Sequence, residues 1–126
     1  MKTLLFVALG GALGASFRYG IGVAADQFGS GQFPWGTFTV NVLGSFVLGI
    51  LLSLMTFSWS PSAEMRAFLV VGVLGGFTTF SAYSLEVVLL MERDRLQLAA
   101  VFMLGSVALS VAGLFAGMRL TRMILT

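Results

Sequence analysis

Apolar residues run along this chain in four long blocks, Thr3–Ala25, Trp35–Trp59, Met65–Met91 and Leu96–Leu120, with half of the charges in the seams between them. Each block reaches the roughly 20 mainly apolar residues a helix needs to cross the hydrocarbon core of a bilayer. The seams are short. Asp26–Pro34 is rich in Gly and Ser, Ser60–Glu64 carries Pro61 as a helix-start signal, and Glu92–Arg95 is a charged turn. The pattern predicts an all-α integral membrane protein of four transmembrane helices, a single domain over residues 1–126. After Met1 and Lys2 the first block has the outline of a signal peptide. Its apolar run continues past Ala15 to Ala25, however, which favours an uncleaved first span.

Composition narrows the chemistry. Hydrophobic residues make up 58% of the chain and charged residues 10%, where a soluble domain carries about a quarter charged. There is no cysteine and no histidine. Disulfides, thiolate nucleophiles, imidazole bases and the usual zinc and haem ligands are therefore excluded together. Without a nucleophile–base pair, a metal cluster or a phosphate loop, the chain does not read as an enzyme. The net charge is only +2 and the basic residues are scattered, so the partner is the lipid bilayer and not nucleic acid.

The third block is the least regular. Gly75-Gly76-Phe77-Thr78-Thr79-Phe80-Ser81 places helix-weakening glycines and hydroxyl residues within a span. Backbone groups freed at membrane depth persist only where protein or a water-filled cavity satisfies them. The segment Gly75–Phe80 therefore predicts a broken third helix lining a polar site, an arrangement membrane proteins use to bind ions. Phe80 and Tyr83 are three apart and share a face, and the positive edges of such rings attract anions.

Other polar residues fall in register. Thr37, Asn41 and Ser45 are spaced by four along one face of the second block, and Ser106 and Ser110 repeat that spacing in the fourth. Interhelical hydrogen bonds and a lined path are both open readings for these stripes. Arg18, near the far end of the first block, either snorkels to the interface or gathers anions at a vestibule. Glu86 is the one acid well inside a block. It reads as a proton-coupling or cation-binding group, or as a carboxyl in a watered vestibule near the span's end. Gly10 with Gly14, and Gly113 with Gly117, have the spacing of close helix approach.

Orientation is weakly marked. Lys2, Arg66, Arg119 and Arg122 fall on one side of the membrane, and Arg93, Arg95 and, at the boundary, Arg18 on the other. Four against two or three is a small positive-inside bias. One reading is insertion both ways round, giving an antiparallel dimer; the other is one fixed topology. Four spans leave little room for an aqueous path, which favours an oligomer.

Three blocks together resemble the Fluc/CrcB family of fluoride channels: Gly10-Gly11-Ala12-Leu13-Gly14-Ala15-Ser16-Phe17-Arg18-Tyr19, then Gly36-Thr37-Phe38-Thr39-Val40-Asn41-Val42-Leu43-Gly44-Ser45-Phe46, then Gly72 through Glu86. They stand in the family's order and cover nearly the whole chain. The resemblance implies an antiparallel, dual-topology homodimer in a bacterial inner membrane, with two fluoride pathways that let fluoride leave the cell passively. It implies a sodium ion at the dimer centre, held by the backbone carbonyls of Gly75 and Thr78. It implies a pathway of Asn41, Phe80, Tyr83 and Ser110 with Arg18 near its vestibule, to which the residue pattern adds Thr37, Ser81 and Glu86 as candidates. This chain departs from the family at two positions: Tyr83 stands where phenylalanine is typical, and Phe102 where tyrosine is frequent. The Tyr83 hydroxyl then either adds a donor to the path or narrows it. The competing class is a proton-coupled small multidrug exporter using Glu86, although the first block lacks the carboxylate that mechanism wants. A non-transporting membrane subunit is a third.

Overall fold

The computed structural model describes residues 1–29 and 31–126; Ser30, in the first connection, lies outside the described residues. Among the described residues four helices are long and apolar enough to cross a membrane: α1 (Lys2–Phe28), α2 (Trp35–Phe57), α3 (Ala63–Glu92) and α4 (Leu96–Leu125). Among the described residues there is no strand.

The ends of these helices follow local chemistry, and they differ from the apolar blocks by a few residues. α2 stops at Phe57 because the N–H groups of Ser58 and Trp59 both turn back to the Leu54 carbonyl, at 2.9 and 2.7 Å. α3 starts at Ala63, where the Ser62 hydroxyl accepts from the Met65 N–H at 3.1 Å, a serine N-cap. It ends in a Schellman turn. Asp94 takes a left-handed φ of 58°, its N–H donates to Met91, and the Arg95 N–H donates to Leu90. α4 continues past Leu120 because its last turn is anchored. The Thr121 hydroxyl donates to Gly117 at 2.8 Å, and the Arg122 guanidinium sits 5.4 Å from the centre of the Phe57 ring.

α3 is not uniform. Ala63–Arg66 is α-helical, and Ala67–Leu74 is wound more widely, with i→i+5 bonds such as Gly75 N–H to Val70. Gly75–Phe77 is α-helical again, Thr78 and Thr79 are extended, and Phe80–Glu92 resumes the α-helix. The span thus bends at the two threonines, while Gly75 keeps helical dihedrals of −63° and −37°.

Two helix pairs build the molecule. α1 lies on the first half of α3, where Gly10 and Gly72 meet backbone to backbone; a Cβ on Gly72 would stand 2.8 Å from the Gly10 Cα. α2 lies on α4, where Gly117 faces the Phe46 carbonyl and the Ser53 hydroxyl donates to Met118 at 3.1 Å. Small residues at these crossings let backbones approach, the usual means of packing where lipid removes the hydrophobic drive. The second half of α3 joins α4 through a dry cluster of Tyr83, Leu90, Ala99 and Phe102. Leu5, Leu9 and Phe17 on α1, and Leu104, Val111 and Phe115 on α4, remain exposed outside.

Candidate functional site

Asn41 organises the site. It sits half-buried in the middle of α2, in surroundings where an unpaired amide would cost several kcal/mol by order of magnitude. Its partner is the bend in α3. The Thr79 N–H donates to the Asn41 Oδ1 at 2.8 Å, and the Asn41 Nδ2 donates to the Thr79 carbonyl at 3.1 Å. The bend is stitched from within as well. The Thr78 hydroxyl donates to Leu74 at 2.9 Å, and the Thr79 hydroxyl accepts from the Ala82 N–H at 3.0 Å, capping the second half of α3. From α1, the Arg18 Nε donates to the Gly76 carbonyl at 3.0 Å. A guanidinium thus sits where the first half of α3 presents its negative end.

These bonds leave two carbonyls without their helical donors. In a continuous helix the Thr79 N–H would serve Gly75, and the Ala82 N–H would serve Thr78. Here the first goes to Asn41 and the second to the Thr79 hydroxyl. Gly75 and Thr78, which carry these carbonyls, both line a cavity. That donor set suits a hard cation. Among the described residues no three His, Cys, Asp or Glu side chains come together as an alternative metal site.

The cavity measures about 450 Å³ and is open on one side. It brings together Asn41 of α2, Gly75, Thr78, Phe80 and Tyr83 of α3, and Ser110 of α4. Ser45, Thr79 and Ser106 line it too. The buried hydroxyls of Ser106 and Ser110 have no hydrogen-bond partner among the described residues, so whatever enters meets unspent donors. Phe80 and Tyr83 stack at 5.3 Å with a 55° tilt; Phe80 is 79% exposed and Tyr83 only 8%.

The remaining predicted residues lie alongside. Arg18 and Thr37 line a neighbouring groove of about 260 Å³ that Thr79 shares with the main cavity. Asp26 and Thr37 of that groove also line a polar pocket of about 240 Å³ at the ends of α1 and α2, where Glu86 is placed. Ser81 is exposed, its hydroxyl 3.2 Å from that of Thr79. The Tyr83 hydroxyl turns to α4 and donates to the Met103 carbonyl at 3.2 Å. Thr79 is the residue sequence reasoning undervalued. It read as one hydroxyl among several, and nothing local marks its backbone as the partner of Asn41.

The family model described as CrcB-like protein, Camphor Resistance (CrcB), matches residues 5–118. The chain belongs to this family. It is 53% identical over 122 residues to a protein of Rhodospirillum centenum named fluoride-specific ion channel FluC, covering 97% of each chain. Proteins of the same name from Agrobacterium fabrum and Rhodopseudomonas palustris are each 49% identical over 122 residues, with 97% of this chain and 98% of theirs covered. The CrcB blocks of α1, α2 and α3 are the segments that build the bend, its Asn41 clamp and the Arg18 contact. Four apolar helices and bacterial relatives make this a multi-pass membrane protein of bacterial type.

Proposed function

We propose that this chain is a fluoride-selective channel that exports fluoride passively and lowers its toxicity in the cytoplasm. The carrying observation is a cavity of uncharged donors around Asn41, in a chain half-identical along its length to proteins named fluoride-specific channels. Fluoride is small and holds its water tightly, so a path must offer many replacement donors without a fixed charge that would trap the ion. Asn41, Ser110 and Thr37 supply such donors, with Ser81 beside them, and the ring edges of Phe80 and Tyr83 add weak positive poles. Arg18 and Glu86 stand at the approach, the first drawing anions inward. The physiological drive needs no coupling: HF crosses the membrane as a neutral acid, ionises at the higher internal pH, and the trapped anion leaves through the channel.

The working unit in this reading is an antiparallel, dual-topology homodimer in the inner membrane. The open side of the cavity and the exposure of Phe80 support it, since a second copy would close the path that one chain leaves unroofed. The bend at Thr78–Thr79 acts as a true helix break at the centre of that dimer. The carbonyls of Gly75 and Thr78 would hold a structural sodium ion there, which supplies a fixed positive charge that ties the two copies together.

Anion efflux from liposomes carrying the purified protein tests the proposal. Fast fluoride efflux with no chloride efflux is the expected result. Well-folded protein that passes no fluoride would refute it and turn attention to proton-coupled export through Glu86.

A further inference from the structure

Tyr83 of α3 and Phe102 of α4 touch each other. The rings of Tyr83 and Phe102 lie 5.4 Å apart at a 50° tilt, and Phe102 is wholly buried against Phe33, Leu90 and Ala99. The Tyr83 hydroxyl is spent on the Met103 carbonyl, the residue next to Phe102 in the chain. Met103 does not line the cavity, whereas Tyr83 does. The Tyr83 hydroxyl is thus bonded to a residue outside the lining of the cavity that Tyr83 itself helps to line.

We infer that Tyr83 is a positioning residue whose hydroxyl, anchored on Met103, fixes the axis of its own ring in the wall of the fluoride path, with Phe102 fixing the ring's tilt. The inference rests on the fluoride-channel reading and assigns a role within it. Its physical basis is the quadrupole. The edge of an aromatic ring attracts an anion and the face repels it, so the path gains only if the ring is held in one attitude. A phenylalanine at 83 would have packing alone to hold it. Here the para oxygen adds a second fixed point on α4. Phe102, fully buried among apolar neighbours, packs against this ring and brings no polar group of its own.

The anchor can be removed without orphaning a buried group. Within α4 the Met103 carbonyl already accepts from the helix, and tyrosine uses its second lone pair. Tyr83→Phe should therefore leave the dimer assembled and its melting temperature within a few degrees of wild type. Fluoride efflux from liposomes should fall roughly three- to tenfold, the range one neutral hydrogen bond is worth. The preference for fluoride over chloride should narrow as well, a change that a merely structural role would not produce. Met103→Leu should match wild type, because the acceptor is backbone. Unchanged efflux and selectivity in Tyr83→Phe would overturn the inference. A wild-type protein that passes no fluoride would instead bring down the channel reading beneath it. A second measurement works even if the variant misfolds. The chain has two tyrosines, so in Tyr19→Phe the Raman doublet of the remaining phenol reports Tyr83 alone. A doublet showing a committed donor supports the anchor, and one showing a phenol that does not donate refutes it.

Discussion

Asn41 and Thr79 exchange two hydrogen bonds across 38 residues of sequence, amide oxygen to backbone N–H and amide nitrogen to backbone carbonyl. A side-chain amide thereby takes the place of the next helical turn for Thr79, which with Thr78 has left the helix. Asn41→Asp keeps the acceptor, loses the donor and adds a negative charge beside the path. Fluoride efflux in liposomes should drop by about tenfold or more, since like charge repels the permeating anion. Asn41→Ala strips both bonds and should cost about 1–3 kcal/mol for each group left unpaired, read as a lower melting temperature in detergent.

The glycine crossing between α1 and α3 gives a stability prediction with a built-in control. A Cβ on Gly10 would drive into the Phe68 carbonyl, while one on Gly20 would meet nothing within 4 Å. Gly10→Val should destabilise by at least about 1–3 kcal/mol, the usual cost of overpacking. Gly20→Ala should be neutral or stabilising by up to about 1 kcal/mol through helix propensity. Thermal unfolding followed by gel filtration separates the two.

Sodium dependence can be assigned to backbone or side chain. Replacing sodium with an organic cation during purification and assay should lower fluoride efflux or loosen the dimer. On the sodium proposal above, Thr78→Val should leave that dependence intact, because the ligand atom would be the carbonyl. The variant loses only the hydroxyl's bond to Leu74, whose carbonyl also accepts from the Thr78 N–H at 3.0 Å. A variant that no longer responds to sodium would show that the hydroxyl is the ligand.

Glu86 separates channel from exporter. It lies in the polar pocket at the ends of α1 and α2, away from the Asn41 cavity. Glu86→Gln should leave passive fluoride efflux largely unchanged and insensitive to an imposed pH gradient. Loss of all transport in this variant, with Asn41→Asp silent, would favour proton coupling.

Much of this was legible from the residues. Hydropathy located all four spans to within a few residues, because length and apolarity are what a bilayer demands. Gly10 and Gly117 announced close packing, and the structure brings both against neighbouring backbones. Thr37, Asn41 and Ser45 were recognisable as a stripe, yet the structure divides it: Asn41 and Ser45 enter the main cavity, and Thr37 the groove beside it. The position of the bend was only half legible. Glycine permits a departure from the helix without requiring one, and Gly75 stays helical. The extended pair is Thr78–Thr79, drawn out by an amide on another helix that no local window contains. The target of the Tyr83 hydroxyl was invisible for the same reason.

The wide winding of Ala67–Leu74 makes length itself a specification in this part of the chain. Each residue of an α-helix turns the next by about 100°, so the phase of everything downstream is counted from here. Deleting one residue with the winding unchanged would turn Gly75, Thr78 and Phe80 through most of that angle, off the cavity wall and towards lipid. Side chains such as Val71 can change within broad limits, being 59% exposed. The count of residues between the Ser62 cap and the Asn41 clamp cannot.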